Sequence, residues 1–202
     1  MNIKGMLPKD TFSKNVVLIT GGGTGLGKSI GKYIIKLGGK VIITSRRSNV
    51  IDETALEFNK EYPDSTLAIA GDVRNIDDVE NVVKTGIKHF GSINMLINNA
   101  AGNFISRTED LSPNAINKII DIVLKGSVNT TMNFSKDLIK EERDGTILSI
   151  STLYADTGSG FVVPSAIAKS AYILFIFYYF FGFNFFLFVF DFNCPRQSPF
   201  NR

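Results

Sequence analysis

The amino-acid sequence predicts an α/β protein built on a doubly wound parallel sheet. Short apolar runs rich in valine and isoleucine alternate with helix-length amphipathic stretches, which is typical of consecutive βαβ units. A glycine cluster directly follows the first apolar run. The 202 residues are enough for one such domain, at roughly 100–200 residues per domain. These three observations favour one nucleotide-binding type of fold.

The alternation predicts five strands joined by four helices. The run at residues 16–19 is apolar throughout, as expected for a strand buried on both faces. The stretch 28–37 has apolar residues at helical spacing and stops at Gly38 and Gly39, which predicts a helix ended by glycine. The other strands are predicted at residues 41–43, 66–69, 93–97 and 146–150, and the other helices at residues 52–62, 76–90 and 114–139.

Composition excludes several classes of function. The net charge of +3, from 22 basic and 19 acidic residues, lacks the basic surplus of a protein that tracks nucleic-acid phosphates. The chain has one cysteine, Cys194, and one histidine, His89, which excludes an intramolecular disulfide and a structural Cys/His zinc site. We therefore expect a reduced intracellular protein without nucleic acid or metal.

The glycine cluster forms the loop TGGGTGLG between the first strand and the first helix. A nucleotide phosphate at this place would meet the unpaired N–H groups of a helix N-terminus, and glycine allows the tight turn and close approach. A sharp turn without a ligand is the alternative explanation. The predicted cofactor-binding residues of this loop are Gly21, Gly22, Gly23, Thr24, Gly25, Leu26 and Gly27.

Residues after the next three strands extend the predicted cofactor site. The second strand ends in TSRR, with no carboxylate for a ribose 2′-hydroxyl, so Arg46 is predicted to bind the 2′-phosphate of NADPH, assisted by Ser45 or Arg47. A solvated basic loop is the alternative. Asp72 follows the third strand and is a candidate acceptor for the adenine amino group, and Asn99 lies in NNAAG after the fourth strand, next to the cofactor ribose.

These motifs, followed downstream by Ser151 and Thr152, resemble the short-chain dehydrogenase/reductase superfamily, which implies a Rossmann fold. Longer segments at residues 98–106 (NNAAGNFIS), 111–115 (LSPNA), 121–124 (DIVL) and 154–165 (YADTGSGFVVPS) resemble mitochondrial-type 2,4-dienoyl-CoA reductases. The resemblance covers roughly residues 6–171.

The resemblance also implies the catalytic residues. Ser165 stands four residues before Lys169, where most of the superfamily has its catalytic tyrosine. In the dienoyl-CoA reductases a tyrosine and an asparagine stabilise the thioester oxygen instead, and these correspond to Tyr154 and Asn103. Lys169 would hold the nicotinamide ribose, and Ser165 would contact the pocket. The alternative to a catalytic role is a packing role for Tyr154 and a turn position for Asn103.

The implied acyl-CoA site comprises Arg74, Phe104 and Ser112. Ser112 precedes Pro113 and an apolar-periodic run, which equally predicts a helix N-cap followed by proline at the first helical position. Val123 stands where many superfamily members have an asparagine that anchors a water relay.

The resemblance therefore implies NADPH-dependent reduction of a 2,4-dienoyl-CoA to a 3-enoyl-CoA in the β-oxidation of unsaturated fatty acids. Another acyl-CoA or carbonyl reductase of the superfamily is one alternative, and a nucleotide-binding fragment without activity is another. It also implies a homo-oligomer in mitochondria, although residues 1–14 show no Arg-rich amphipathic presequence.

The last 31 residues differ from the rest of the chain, since 11 of the 17 phenylalanines lie between Phe175 and Phe200. We therefore divide the chain into an NADP-binding domain (1–171) and a hydrophobic tail (172–202). The uncharged run 172–190 has the length of a membrane span, roughly 17–25 residues, and a membrane partner is expected only if this run is genuine. Its composition favours translated non-coding sequence, with an anchor or a core helix as alternatives. We expect the sheet to lack its last strands, leaving an open edge.

Overall fold

The computed structural model describes residues 7–179 and the backbone of residues 186–191. Within these ranges one parallel sheet contains six strands in the order β3-β2-β1-β4-β5-β6. The strands are β1 (Val16–Thr20), β2 (Lys40–Ser45), β3 (Thr66–Ala70), β4 (Met95–Asn98), β5 (Thr146–Ser151) and β6 (Phe186–Asp191). The doubly wound fold class predicted from the sequence is confirmed.

Helices connect the strands and cover both faces of the sheet. They are α1 (Gly25–Lys36), α2 (Ser48–Glu61), α3 (Ile76–Phe90), α4 (Pro113–Ile120), α5 (Gly126–Lys140), α6 (Tyr154–Thr157) and α7 (Val163–Tyr179). All five predicted strands are present, and α3 has the predicted bounds. Helix α1 begins three residues earlier than predicted, inside the glycine loop, which brings its N-terminus closer to the end of β1.

The side chains of β1 alternate between two apolar cores, one on each face of the sheet. Val16 and Leu18 belong to the core that α3, α5 and α7 cover, whereas Val17 and Ile19 belong to the core that α1 and α2 cover. Complete burial of an aliphatic side chain of this size stabilises the fold by roughly 1.5–3 kcal/mol. The central strand therefore ties both layers of helices to the sheet.

The helix predicted at residues 114–139 is interrupted by a π-helical turn, Asp121–Lys125, between α4 and α5. Val123 is buried within this turn. Gly126 follows it, and a Cβ there would lie 2.5 Å from Cγ2 of Val73. Glycine thus lets the start of α5 pack directly against the turn that follows β3, a turn that lies at the sheet edge described below.

The first part of the predicted tail continues α7. Tyr172 and Ile176, four residues apart on one face, are buried in the core shared with α3 and α5. The predicted boundary between residues 171 and 172 therefore lies inside a helix. For this part of the run the core-helix alternative describes the structure, with only one side of α7 buried: Leu174, Phe177 and Tyr178 are exposed.

The sequence predicts that the sheet ends at its fifth strand. In the structure a sixth strand, β6, follows it. Backbone pairing in parallel with β5 runs from Phe186 opposite Thr146 to Asp191 opposite Ser151. Aromatic and β-branched residues favour strands, and a helix that returns along the sheet places the next strand beside the last one. The edge of β5 is therefore covered by β6. Residues 180–185 and 192–202 of the predicted tail lie outside the described residues, and its non-coding origin stays a prediction.

In residues 7–179 and 186–191, no helix combines the length and the apolar character that a membrane crossing requires.

A buried polar cluster fixes α7 against the carboxyl end of β4. The side-chain amide of Asn98 donates to Tyr172 Oη (2.7 Å) and to Thr131 Oγ1 (3.0 Å), and the two hydroxyl oxygens lie 2.6 Å apart. Burial raises the pKa of Tyr172 to about 12, opposed by its hydrogen bonds. The neutral hydroxyl of Tyr172 thus belongs to the folded core.

We expect Tyr172→Phe to lower the free energy of unfolding by about 1–3 kcal/mol at neutral pH, because buried polar groups of Asn98 and Thr131 lose a partner. Denaturant unfolding measures this difference. Tyr178→Phe is the matched control, since Tyr178 is 72% exposed. Equal stability of the Tyr172 variant and the unaltered chain would contradict the assignment.

The same hydroxyl predicts a dependence of stability on pH. Its pKa is about 12 in the folded chain and about 10 when unfolded, so the unfolded chain releases this proton first as the pH rises. The contribution is fully present below about pH 10 and is lost between about pH 10 and 12. Unfolding experiments across this range should show a smaller alkaline loss for Tyr172→Phe than for the unaltered chain.

Candidate functional site

A cleft of about 490 Å³ lies at the carboxyl ends of the central strands. The strand order reverses between β1 and β4, and open α/β sheets bind ligands outside such a switch point. The segments that follow β1, β2, β3 and β4 contribute to the lining, which consists of Gly21, Thr24, Gly25, Leu26, Thr44, Ser45, Arg46, Arg47, Gly71, Asp72, Val73, Asn99, Ala100, Ala101 and Ile122. Most of the predicted cofactor residues therefore meet in one place.

Thr20 joins the two strands at the switch point. Its buried hydroxyl accepts from the backbone amides of Asn99 (3.0 Å) and Ala100 (2.9 Å), while it lies 3.4 Å from the carbonyl of Ile97. The side-chain amide of Asn99 donates hydrogen bonds to the carbonyls of Thr20 (2.9 Å) and Gly21 (3.1 Å). The floor of the cleft is thus a closed set of hydrogen bonds between the glycine loop and the NNAAG segment.

The glycine loop leaves the first turn of α1 open to a ligand. Gly25 begins the helix with φ +53°, a backbone conformation that favours glycine, and open space surrounds the position of a Cβ. A Cβ at Gly27 would lie 2.6 Å from the carbonyl oxygen of Gly21 and from Nδ2 of Asn99. Within the described residues, the N-cap Thr24 makes no capping hydrogen bond through its side chain. The first-turn amides can therefore bind an anion.

The end of β2 supplies positive charge to the same cleft. Arg46 and Arg47 are exposed, and both line it. Oγ of Ser45 accepts from the backbone amide of Arg47 at 3.2 Å, which fixes the turn into α2. Thr44 is buried, and its Oγ1 has no hydrogen-bond partner among the described residues. The wall near β2 thus combines two exposed cations with a buried hydroxyl group that has no partner among the described residues.

The turn after β3 carries a carboxylate that is held in place. Nε and Nη2 of Arg74 and its backbone amide all donate to the Asp72 carboxylate, at 2.5–3.0 Å. These bonds, with the charge of Arg46 adding to them, lower the pKa of Asp72, although partial burial opposes the shift. Asp72 is therefore a carboxylate at neutral pH. Arg74, expected at the acyl-CoA site, is paired with it instead of standing alone.

The four predicted catalytic residues lie on three segments beyond this cleft. Asn103 is exposed in the loop after β4, Tyr154 is half-buried at the start of α6, and Ser165 is buried in the first turn of α7. Nζ of Lys169 donates to the carbonyls of Ile150 (2.9 Å) and Ser151 (3.3 Å). Lys169 thus fastens α7 to the carboxyl end of β5.

Hydrogen bonds connect the loops that bear Asn103 and Tyr154. The amide of Ser106 donates to the carbonyl of Phe161 (3.1 Å), and the amide and hydroxyl of Thr108 donate to the carbonyl of Gly160 (3.1 and 2.7 Å). Ser170 donates to the carbonyl of Ala155 at 2.5 Å. The Asn103 loop, α6 and α7 therefore form one connected group above the end of β5.

The other two residues expected at the acyl-CoA site, Phe104 and Ser112, lie between β4 and α4. Phe104 is 48% exposed next to Asn103. Ser112 caps α4: its Oγ accepts from the amide of Ala115 at 3.2 Å, and Pro113 is the first helical residue. The N-cap alternative for Ser112 is thus confirmed, and a second role in binding stays a prediction.

The sequence pattern does not reveal the structural roles of Thr20 and Tyr172. It marks Thr20 only as the start of the glycine loop and assigns no role to Tyr172. A threonine at the end of an all-apolar strand next to glycine was the available signal for Thr20, because a buried hydroxyl needs a partner. Tyr172 gave no such signal, since its partners Asn98 and Thr131 are far away in the sequence.

Comparison with known proteins gives a consistent assignment. A family model described as short chain dehydrogenase matches residues 15–177. A crystal structure of a short chain dehydrogenase from Bacillus anthracis is similar, with a TM-score of 0.78 and 38% identity, and the match covers 83% of this chain and 67% of that one.

Curated relatives are similar at the level of sequence. An uncharacterised oxidoreductase of Caenorhabditis elegans is 44% identical over 165 residues, 81% of this chain and 53% of that protein. A probable 2,4-dienoyl-CoA reductase of the same organism is 42% identical, over 77% of this chain and 50% of that protein. A peroxisomal 2,4-dienoyl-CoA reductase of Arabidopsis thaliana is 36% identical, over 80% of this chain and 56% of that protein. The chain spans about half the length of these relatives.

We expect Thr20→Val to destabilise the floor of the cleft. Valine keeps the size but leaves the amides of Asn99 and Ala100 without their acceptor, at a cost of about 1–3 kcal/mol for each unpaired buried group. Thermal unfolding should show the loss, and amide hydrogen exchange should accelerate at these two residues. Thr11→Val is the control, because Thr11 bonds only locally to the carbonyl of Pro8. Unchanged exchange at Asn99 and Ala100 would contradict the role of Thr20.

Proposed function

Since this chain belongs to the short-chain dehydrogenase/reductase family, we propose that it binds NADPH in the switch-point cleft and serves the reduction of 2,4-dienoyl-CoA thioesters to 3-enoyl-CoA. The observation that carries the proposal is the cleft itself. It combines free helix amides, two arginines and an ionised aspartate at the carboxyl ends of parallel strands.

The residues present fit a nicotinamide dinucleotide. The first turn of α1 would hold the pyrophosphate through backbone amides. Asp72 would accept from the adenine amino group, and the small residues Ala100 and Ala101 leave space for a ribose along the wall near β4.

The arginines support a preference for the phosphorylated cofactor. Arg46 and Arg47 line the cleft where β2 ends, at the position from which a dinucleotide fold contacts the adenosine ribose. An acidic residue there would accept from a 2′-hydroxyl, whereas arginine pairs with a 2′-phosphate in a charge-assisted hydrogen bond. We therefore propose NADPH with Arg46 as the main ligand of the 2′-phosphate.

The proposed chemistry places the chain's own residues around a thioester oxygen. When bound, the cofactor would supply a hydride to Cδ of the dienoyl thioester, and a proton from water added to Cα of the resulting dienolate would complete the 3-enoyl-CoA. The hydroxyl of Tyr154 and the side-chain amide of Asn103 donate to the thioester oxygen as negative charge develops on it. The link between their loops, through Ser106 and Phe161, keeps the two donors on one connected group. Lys169 holds the nicotinamide ribose, and Ser165 borders the pocket.

The acyl-CoA partner is proposed from the same region. Phe104 and its neighbour Ile105 present exposed apolar surface, 48% and 85% exposed, beside the Asn103 loop. Such surface suits an aliphatic chain, because its burial removes apolar area from water. Ser112 lies at the N-terminus of α4, where its helix amides favour a polar or anionic group of the substrate. A homo-oligomer of the whole protein belongs to this proposal.

The compartment is proposed on the resemblance of the motifs to mitochondrial-type enzymes. Relatives from Arabidopsis thaliana and zebrafish are named peroxisomal, at 36% and 33% identity. We propose mitochondria, and fractionation of cells with antibodies against this chain tests the choice. Recovery of the chain with peroxisomes would overturn it.

A second candidate function is dinucleotide binding without turnover. The cleft residues are fixed by hydrogen bonds to one another, whereas the side chain of Asn103 is exposed and Val123 stands at the position that often carries a relay asparagine. NADPH binding without reduction of any acyl-CoA would select this candidate. Reduction of 3-oxoacyl-CoA but not dienoyl-CoA would select another reductase of the family.

We expect NADPH to bind more tightly than NADH, by about ten- to a hundredfold, because a charge-assisted phosphate contact is worth roughly 1.5–3 kcal/mol. Arg46→Ala should erase most of that difference and leave the affinity for NADH unchanged. Cofactor fluorescence titration measures both. Equal affinity of the unaltered chain for the two cofactors would contradict the preference.

We expect Tyr154→Phe and Asn103→Ala each to lower kcat for a 2,4-dienoyl-CoA by about 10²–10³-fold, with little change in NADPH affinity, since the lost contacts strengthen as charge develops. Tyr33→Phe, on the outer face of α1, is the control. Full turnover in Tyr154→Phe would move the role elsewhere, to Ser165 in the first instance.

A further inference from the structure

The ion pair between Asp72 and Arg74 stands where two clefts meet. Asp72 lines the switch-point cleft, and both residues line a neighbouring open cleft of about 660 Å³. The Arg74 guanidinium contacts both carboxylate oxygens, through Nε (3.0 Å to each) and Nη2 (2.5 Å to Oδ2). The backbone amide of Arg74 adds a third donor to Oδ1 at 3.0 Å.

The turn that carries this pair is fixed from several sides. The amide of Asp72 donates to Oδ2 of Asp78 (2.9 Å), and the amide of Asn75 donates to the carbonyl of Asp72 (2.9 Å). From α5, the side-chain amide of Asn129 donates to the carbonyls of Val73 (3.1 Å) and Arg74 (3.4 Å). The backbone is thus held without the guanidinium, so Arg74 acts mainly on the orientation of the carboxylate.

We infer that Arg74 is a positioning residue for the base of the bound nucleotide: it aims the Asp72 carboxylate at an exocyclic amino group in the switch-point cleft. The inference rests on the proposed dinucleotide binding. A carboxylate has about four acceptor sites. Three donors of Arg74 contact the two oxygens, so acceptor capacity remains for a ligand in the switch-point cleft, which Asp72 lines.

This role has a chemical consequence for selectivity. A site that presents a fixed, ionised acceptor discriminates against a base that lacks the donor, because the acceptor is then left without its partner. Adenine carries the amino group, and hypoxanthine carries a carbonyl oxygen in its place. Without the guanidinium, the Asp72 side chain gains rotational freedom and most of this discrimination is lost.

The test compares NADPH with its hypoxanthine analogue, in which oxygen replaces the adenine amino group. We expect the full-length chain to bind NADPH about tenfold or more tightly than the analogue, the size expected for a hydrogen bond to a charged group. Arg74→Ala should reduce this ratio to near one by weakening NADPH binding, and Arg74→Lys should restore it only in part, since lysine cannot contact both oxygens. Isothermal titration calorimetry measures binding without turnover.

Arg143→Ala is the matched control, because Arg143 also pairs with a carboxylate two residues away, Glu141, and lines neither cleft. A purely structural role of Arg74 would weaken both nucleotides equally and leave the ratio intact, which overturns the inference. An intact ratio with weaker binding of CoA would make Arg74 a substrate residue instead. An unaltered chain that binds NADPH but shows no base preference also overturns it, whereas failure to bind NADPH at all contradicts the proposed function itself.

Discussion

The join between β1 and β4 is the constraint on which the rest of the structure depends. Both strands are central, and their carboxyl ends must part to leave a cleft while their backbones stay paired. The buried hydroxyl of Thr20 meets both demands, because it accepts the amides of Asn99 and Ala100 where the ladder stops. A hydrophobic side chain of the same size would fill the space but would leave two partly buried N–H groups unpaired.

The electrostatics of the site depend on the common direction of the strands in the parallel sheet. In a parallel sheet every strand ends at the same edge, so residues from distant parts of the sequence meet there. The glycine loop brings the amides of α1, β2 brings Arg46 and Arg47, and the turn after β3 brings Asp72. The cleft therefore offers positive potential to phosphates and one ionised acceptor to a base. The group that contains Asn103 and Tyr154 lies beyond it and is tied to α7 through Ser170.

The sequence predicts what depends on local pattern and fails where partners are distant. The five strands and α3 follow from alternating apolar runs, and the glycine loop marks the cleft, because strand burial and tight turns leave local signatures. The sixth strand and the burial of Tyr172 could not be predicted, since a uniformly apolar segment has no periodicity that distinguishes strand, core helix and membrane span. The pairing of Asp72 with Arg74 could not be predicted either. The sequence shows two residues of opposite charge close together, but it does not show that their side chains turn toward each other.

We propose that the switch-point cleft binds a phosphorylated nicotinamide dinucleotide. Titration of the isotopically labelled chain with NADPH, followed by amide chemical shifts in NMR spectra, tests it most directly. We expect saturable shifts at residues 21–27, at Arg46 and Arg47 and at Asp72 and Val73, with little change along the outer face of α7. Absence of saturable shifts, or shifts confined to residues outside the cleft, would contradict binding in this cleft.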